Sequence, residues 1–105
     1  MSSAYLVMTT IDSRQKAEYL AELVVSAGHC ACAQISEKMT SIYIWKGKIQ
    51  NESEYLISFK TVSGKKDTLM QTIRSNHSYD TPEIIGVDLD MVDKSYLQWM
   101  ESVLS

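Results

Sequence analysis

Four side chains able to bind or exchange protons stand within eight residues: the imidazole of His77, the phenol of Tyr79 and the carboxylates of Asp80 and Glu83, all in the stretch NHSYDTPE that closes at Glu83. A histidine on a loop entering a strand can ligate a borderline metal or titrate near neutrality, and loops carried by a rigid scaffold are where such groups gather. His77 can equally cap the preceding helix, with Tyr79 packed and Pro82 and Glu83 shaping the strand entry. No H-x-x-x-H spacing accompanies it, so a metal would need ligands from elsewhere in the fold or from another subunit. Cys30 and Cys32 form the second candidate. On a regular strand they share a face that His29 avoids, a soft donor pair suited to Cu(I) or Zn; simple burial is the competing reading.

These groups must be positioned by an α+β scaffold. Ala4 to Thr10 is a short apolar run of strand length. Asp12 or Ser13 caps a helix from Ser13 to Ala27, with Gln15 placed for a capping box, Ala17, Leu20, Ala21 and Val24 at helical spacing, and Gly28 at its end. Ser63-Gly64 opens a second helix bearing Leu69, Met70 and Ile73. Pro82 blocks its continuation, and Glu83 to Asp90 forms a strand in which Gly86 is expected to admit a neighbouring backbone. Asp93 caps a last helix carrying Tyr96, Leu97, Met100, Val103 and Leu104. The order βαββαβα predicts a ferredoxin-like split βαβ sandwich with an added C-terminal helix.

Between the halves lies Cys30 to Thr61, rich in β-branched and aromatic residues, with Lys46-Gly47 as a tight turn and Glu37-Lys38 as an irregularity. Arms of roughly 14 residues would extend about 45 Å. A globule of this chain length is a sphere only about 34 Å across. The hairpin therefore projects, carrying Ile42, Tyr43, Ile44, Trp45 and Ile49 at its tip. Leaving such side chains in water forfeits about 1.5–3 kcal/mol each, so another subunit is expected to cover them.

Composition narrows the function. The 105 residues, 45% apolar, suit one domain over residues 1–105 with a modest core. Ten basic against thirteen acidic residues leave a charge of −3, without the basic face a nucleic-acid partner requires. The third strand lacks the RNA-binding aromatic signature, and Thr10 to Arg14 lacks the glycines of a phosphate-cradling loop. The apolar runs fall short of the ~20 residues of a membrane span. No signal-like segment opens the chain, and the two cysteines are too close for a disulfide, so a reducing cytoplasm is expected.

The phrases ACAQI (Ala31 to Ile35), SIYIWKGKI (Ser41 to Ile49), ISFKT (Ile57 to Thr61), HSYDTPEII (His77 to Ile85) and YLQWM (Tyr96 to Met100) together closely resemble, in order and spacing, the CutA divalent-cation-tolerance family. The resemblance implies a non-enzymatic homotrimer, similar in architecture to the PII signalling proteins, linked to tolerance of copper and other divalent metals. It implies no obligatory cofactor. It gathers Trp45, Lys60, His77, Tyr79 and Glu83 around a cleft between subunits and makes His77 the foremost metal contact, with Met8, Cys32 and Glu83 beside it. Where some members carry a cysteine and a further histidine, this chain has Met8 and Asn76, a set that favours Cu(I) over harder ions. The alternative expectation is a PII-like signalling module that binds a small anionic or other metabolite in that cleft.

Overall fold

A computed structural model describes residues 3–104. In chain order the elements are β1 (Ala4–Ile11), α1 (Arg14–Ser26), β2 (Cys32–Ile35), β3 (Met39–Trp45), β4 (Lys48–Val62), α2 (Lys66–Asn76), β5 (Ile84–Asp88) and α3 (Lys94–Leu104). The sheet order is β2-β4-β1-β5, every neighbouring pair antiparallel, with β3 continuing along the outer half of β4. Because β4 lies between β1 and β2, and β1 between β4 and β5, each half is a βαβ unit split by a strand of the other. This is the ferredoxin-like arrangement expected from the element order.

Alternation decides which face is core. Val7 pairs Phe59 and Thr9 pairs Ile57, and these inward residues meet Leu20 and Val24 of α1 and Leu69 and Ile73 of α2. Each large side chain so buried contributes about 1.5–3 kcal/mol. The buried hydroxyls among them are satisfied: Thr9 donates to the Glu83 carbonyl at 2.6 Å and Thr61 to the His29 carbonyl at 2.7 Å. Lys60, one residue out of phase with Phe59 and Thr61, points to the opposite face, where its Nζ lies 5.7 Å from the Tyr96 ring centroid. There α3 packs, burying Met100 and Leu104. Ile85 and Val87, opposite Met8 and Leu6, stay half exposed on that outer face.

Several local expectations are refined. Ser13 alone caps α1, its Oγ accepting the Lys16 amide at 3.3 Å, while Asp12 pairs with the Lys16 ammonium at 3.5 Å. The first hairpin arm is two strands. At the break the Ser36 amide donates to the Leu56 carbonyl and its hydroxyl accepts the Leu56 amide, both at 2.9 Å, so one residue makes a closed pair with its neighbour as the chain turns. A 3-10 turn over Ser63–Lys65 precedes α2, and neither begins with a side-chain cap. Gly86 is not needed for a close approach, since a Cβ there would meet its neighbours at an ordinary 3.7 Å. Cys30 and Cys32 do not share a face: Cys30 belongs to the core, and Cys32 opens β2 opposite Lys60 on the outer side.

Candidate functional site

Lys46 and Gly47 both have positive φ, +51° and +78°, the condition for the two-residue turn whose twist suits a hairpin. That turn fixes the register: Trp45 pairs Lys48, Tyr43 pairs Gln50, Ser41 pairs Glu52 and Met39 pairs Glu54. Directly paired residues share a face, so the tip has two unlike sides. One carries Ile42, Ile44 and Ile49, exposed by 69%, 73% and 76%. The other carries Tyr43, Trp45, Glu52 and Glu54. Of the five residues expected at the trimer interface, the three isoleucines thus form one apolar face, while Tyr43 and Trp45 look the other way.

The second side faces the loop between α2 and β5 and the end of β1 across a cleft of about 680 Å³, lined among others by Tyr43, Trp45, Tyr79, Asp12, Glu52, Glu54, Asp80 and Glu83. Five carboxylates border it, and among the described residues no lysine, arginine or histidine lines it, although Lys48 stands beside Trp45 on the same side of the hairpin. Glu54 is the deepest of them, only 7% exposed, and its Oε2 accepts the Tyr79 hydroxyl at 2.8 Å. Burial, the bond to Glu54 and the nearby charges of Glu54 and Asp12 push the Tyr79 phenol well above its ordinary pKa, so it remains a donor.

His77 sits at the C-terminal end of α2 and is committed to the backbone. Its Nδ1 accepts the Tyr79 amide at 3.1 Å, which leaves the proton on Nε2, and Nε2 donates to the Thr10 carbonyl at 2.8 Å. Both ring nitrogens being bonded, the imidazole orients the loop and places Tyr79 over Glu54. Glu83 reaches the cleft on the far side, its own carbonyl tied to Thr9. Lys60 does not join them within one chain. It donates to Gln34 Oε1 at 2.8 Å on the outer sheet face, near Tyr96. Cys32 is on that face beside Lys60, and Met8, opposite Ser58, stands two residues further along and a strand beyond β4. With strands about 4.8 Å apart, Met8 and Cys32 are too distant to share one ion in a single chain. Among the described residues no three of His, Cys, Asp and Glu converge closely enough to hold a metal, so the fit to a closed metal site within one chain fails. The Cys30 thiol, pushed up to about 12 chiefly by burial and then by Cys32, is a core group rather than a donor.

In the sequence Asp12 reads only as a helix cap, and Glu52 and Glu54 were not singled out. The signal was present: once Lys46-Gly47 is taken as a two-residue turn, counting back from it pairs Ser41 with Glu52 and Met39 with Glu54 and aligns them with Tyr43 and Trp45.

Comparison with known proteins agrees with this architecture. The family model of the CutA1 divalent ion tolerance protein matches residues 5–103. The "Probable divalent-cation tolerance protein cutA homolog" of Encephalitozoon cuniculi is 36% identical over 102 residues, covering 97% of this chain and 89% of that one. Protein CutA of Homo sapiens is 35% identical over 101 residues, covering 96% of this chain and 56% of the human protein, so the chain spans little more than half of that relative. The structure of CutA from Synechococcus elongatus PCC7942 superposes with a TM-score of 0.95 at 34% identity, over 100% of this chain and 93% of that one. The chain belongs to the CutA1 divalent ion tolerance family.

Proposed function

We propose that the chain acts as a cytoplasmic, non-enzymatic homotrimer in divalent-cation tolerance, with copper its foremost ion and the metal contact completed between copies. The two-sided hairpin carries this reading. An apolar face of three isoleucines, held out along a molecule 44 Å long, needs a neighbour to bury it, and head-to-tail contacts of this kind close into a ring. The half-exposed Ile85 and Val87 extend the surface to be covered onto the face that also bears Met8 and Cys32. Thioether and thiolate favour Cu(I), and the two free cysteines suit a reducing compartment. His77 contacts a metal only by surrendering its bond to Thr10 or Tyr79.

Titration calorimetry with Cu²⁺, and with Cu⁺ under reducing anaerobic conditions, tests this reading on the wild type, Cys32→Ser, Met8→Leu and His77→Ala. Saturable Cu⁺ binding with a fixed number of ions per trimer is expected, weakened by Cys32→Ser and Met8→Leu. Binding insensitive to both would separate metal tolerance from direct coordination. A second reading, a PII-like module that binds a small metabolite, is favoured by the cleft itself, whose volume and aromatic wall suit an organic ligand. A compound at 100 times its dissociation constant would then stabilise the protein by about 2.7 kcal/mol.

A further inference from the structure

We infer that the hairpin tip is a two-register switch, in which the first arm slides by one residue, with a bulge at Glu37-Lys38 as the slack and Ser36 as the latch. The pairing shows the slack. Ile35 stands opposite Ile57, and the Ser36 amide donates to the Leu56 carbonyl; beyond the break Met39 stands opposite Glu54. Two residues, Glu37 and Lys38, therefore face one, Tyr55, which makes a bulge. Moving that extra residue out of the arm and into the turn gives a second ladder. Ser36 to Ile44 would then pair without interruption with Leu56 to Lys48, closed by the three-residue loop Trp45-Lys46-Gly47.

Opposing local terms balance the two ladders. In the two-residue turn Lys46 and Gly47 both hold positive φ, +51° and +78°. A three-residue loop asks this only of its last residue, so Gly47 keeps its conformation and Lys46 is relieved of strain. The slipped ladder also sets Lys38 opposite Glu54, a cross-strand pair of opposite charge, where Met39 now stands. The bulged ladder keeps the Ile44–Ile49 pair and is held at Ser36. There the hydroxyl, in place of the carbonyl, accepts the Leu56 amide at 2.9 Å, while the carbonyl turns to Arg14 Nη1 at 3.4 Å. A regular ladder would return that carbonyl to the Leu56 amide. Burial within one chain does not choose between them, since Ile42, Ile44, Ile49, Tyr43 and Trp45 are all exposed. A slip of one residue exchanges faces: Ile42 and Ile44 cross to the side of Glu52 and Glu54, and Tyr43 joins Ile49. The apolar face and the aromatic wall of the cleft thus exist only in the bulged register.

The test is relaxation-dispersion NMR on the isotope-labelled full chain carrying Ile42→Asp. That aspartate breaks the apolar face, and it stands opposite Asn51 in one register and Gln50 in the other, so it favours neither. Exchange between two states is expected across Met39–Trp45. Adding Ser36→Ala removes the latch and should raise the slipped population at least about tenfold. An NOE between the Hα atoms of Tyr43 and Ile49 should then appear beside the one between Ile44 and Ile49. Ser36→Thr keeps the hydroxyl and should leave the exchange as it was. Deleting Lys38 removes the slack while preserving the present pairings on both sides of the break, and should abolish the exchange. Absence of exchange with Ser36 intact and of the Tyr43–Ile49 contact in Ser36→Ala would overturn the inference, because the tip would then have one register. Exchange undiminished by the Lys38 deletion would overturn it as well, because the motion would then not be a slip.

Discussion

His77 shows how a residue with ligand chemistry is recruited for architecture. Its Nε2 bonds to the carbonyl of Thr10, 67 positions away in sequence, and its Nδ1 holds the amide of Tyr79. His77→Ala should therefore lower unfolding stability in urea by about 1–3 kcal/mol, the usual cost of leaving such groups without partners. It should change copper affinity little. The imidazole and its neighbours were legible as a cluster, because they lie together in the chain. The role of His77 was not, because its decisive partner is a backbone carbonyl that only the fold brings near. Titration makes a further residue-scale prediction. Cys30 is raised from 9.0 to about 12 by burial, and Tyr79 is raised by burial and Glu54. In both cases the unfolded chain loses its proton first, so the stabilisation is intact below the unfolded pKa and is lost as pH climbs towards the folded one. Stability should fall as pH rises from 9 to 12, and the slope, measured by urea unfolding at successive pH values, should be shallower in Cys30→Ala. An unchanged slope would show that the thiol titrates alike in both states.

The hairpin turn concentrates the element-scale argument. Lys46 holds φ at +51° without being glycine, a conformation that strains an ordinary side chain and that asparagine tolerates better. Lys46→Asn should raise stability by up to about 1 kcal/mol, read as an upward shift in the thermal midpoint; a fall would mean that the lysine makes a contact worth more than the strain. Strand alternation and the Lys46-Gly47 signal made the length of the hairpin and its projection legible in the sequence, and apolar spacing placed α1 and α2. The division of the first arm at Ser36 escaped, since a serine whose hydroxyl accepts the Leu56 amide looks in sequence like any other strand serine. The side of the sheet taken by α3 escaped as well. Its buried stripe of Met100 and Leu104 would suit either face, and the choice is fixed by β4, where Lys60 lies near Tyr96.

For the whole molecule, the sequence-based estimate of a hairpin about 45 Å long on a globule about 34 Å wide meets principal extents of 44 × 25 × 23 Å. An elongated single chain holds Ile42, Ile44 and Ile49 in water at one end, and burying each would contribute about 1.5–3 kcal/mol. The carboxylate-bearing side of the same hairpin borders the cleft, so Ile44 and Ile49 and the carboxylates of Glu52 and Glu54 lie on opposite faces of one element, with Ile42 at the cleft's edge. If the proposed trimer forms through this face, Ile44→Asp should dissociate it while preserving the monomer fold, because Ile44 is not part of the buried core. Sedimentation velocity of the wild type and of Ile44→Asp at micromolar concentration, paired with circular dichroism, tests the assembly directly. A three-chain mass for the wild type and a folded one-chain mass for Ile44→Asp are expected. A folded wild-type monomer would contradict the claim that this chain works as a trimer.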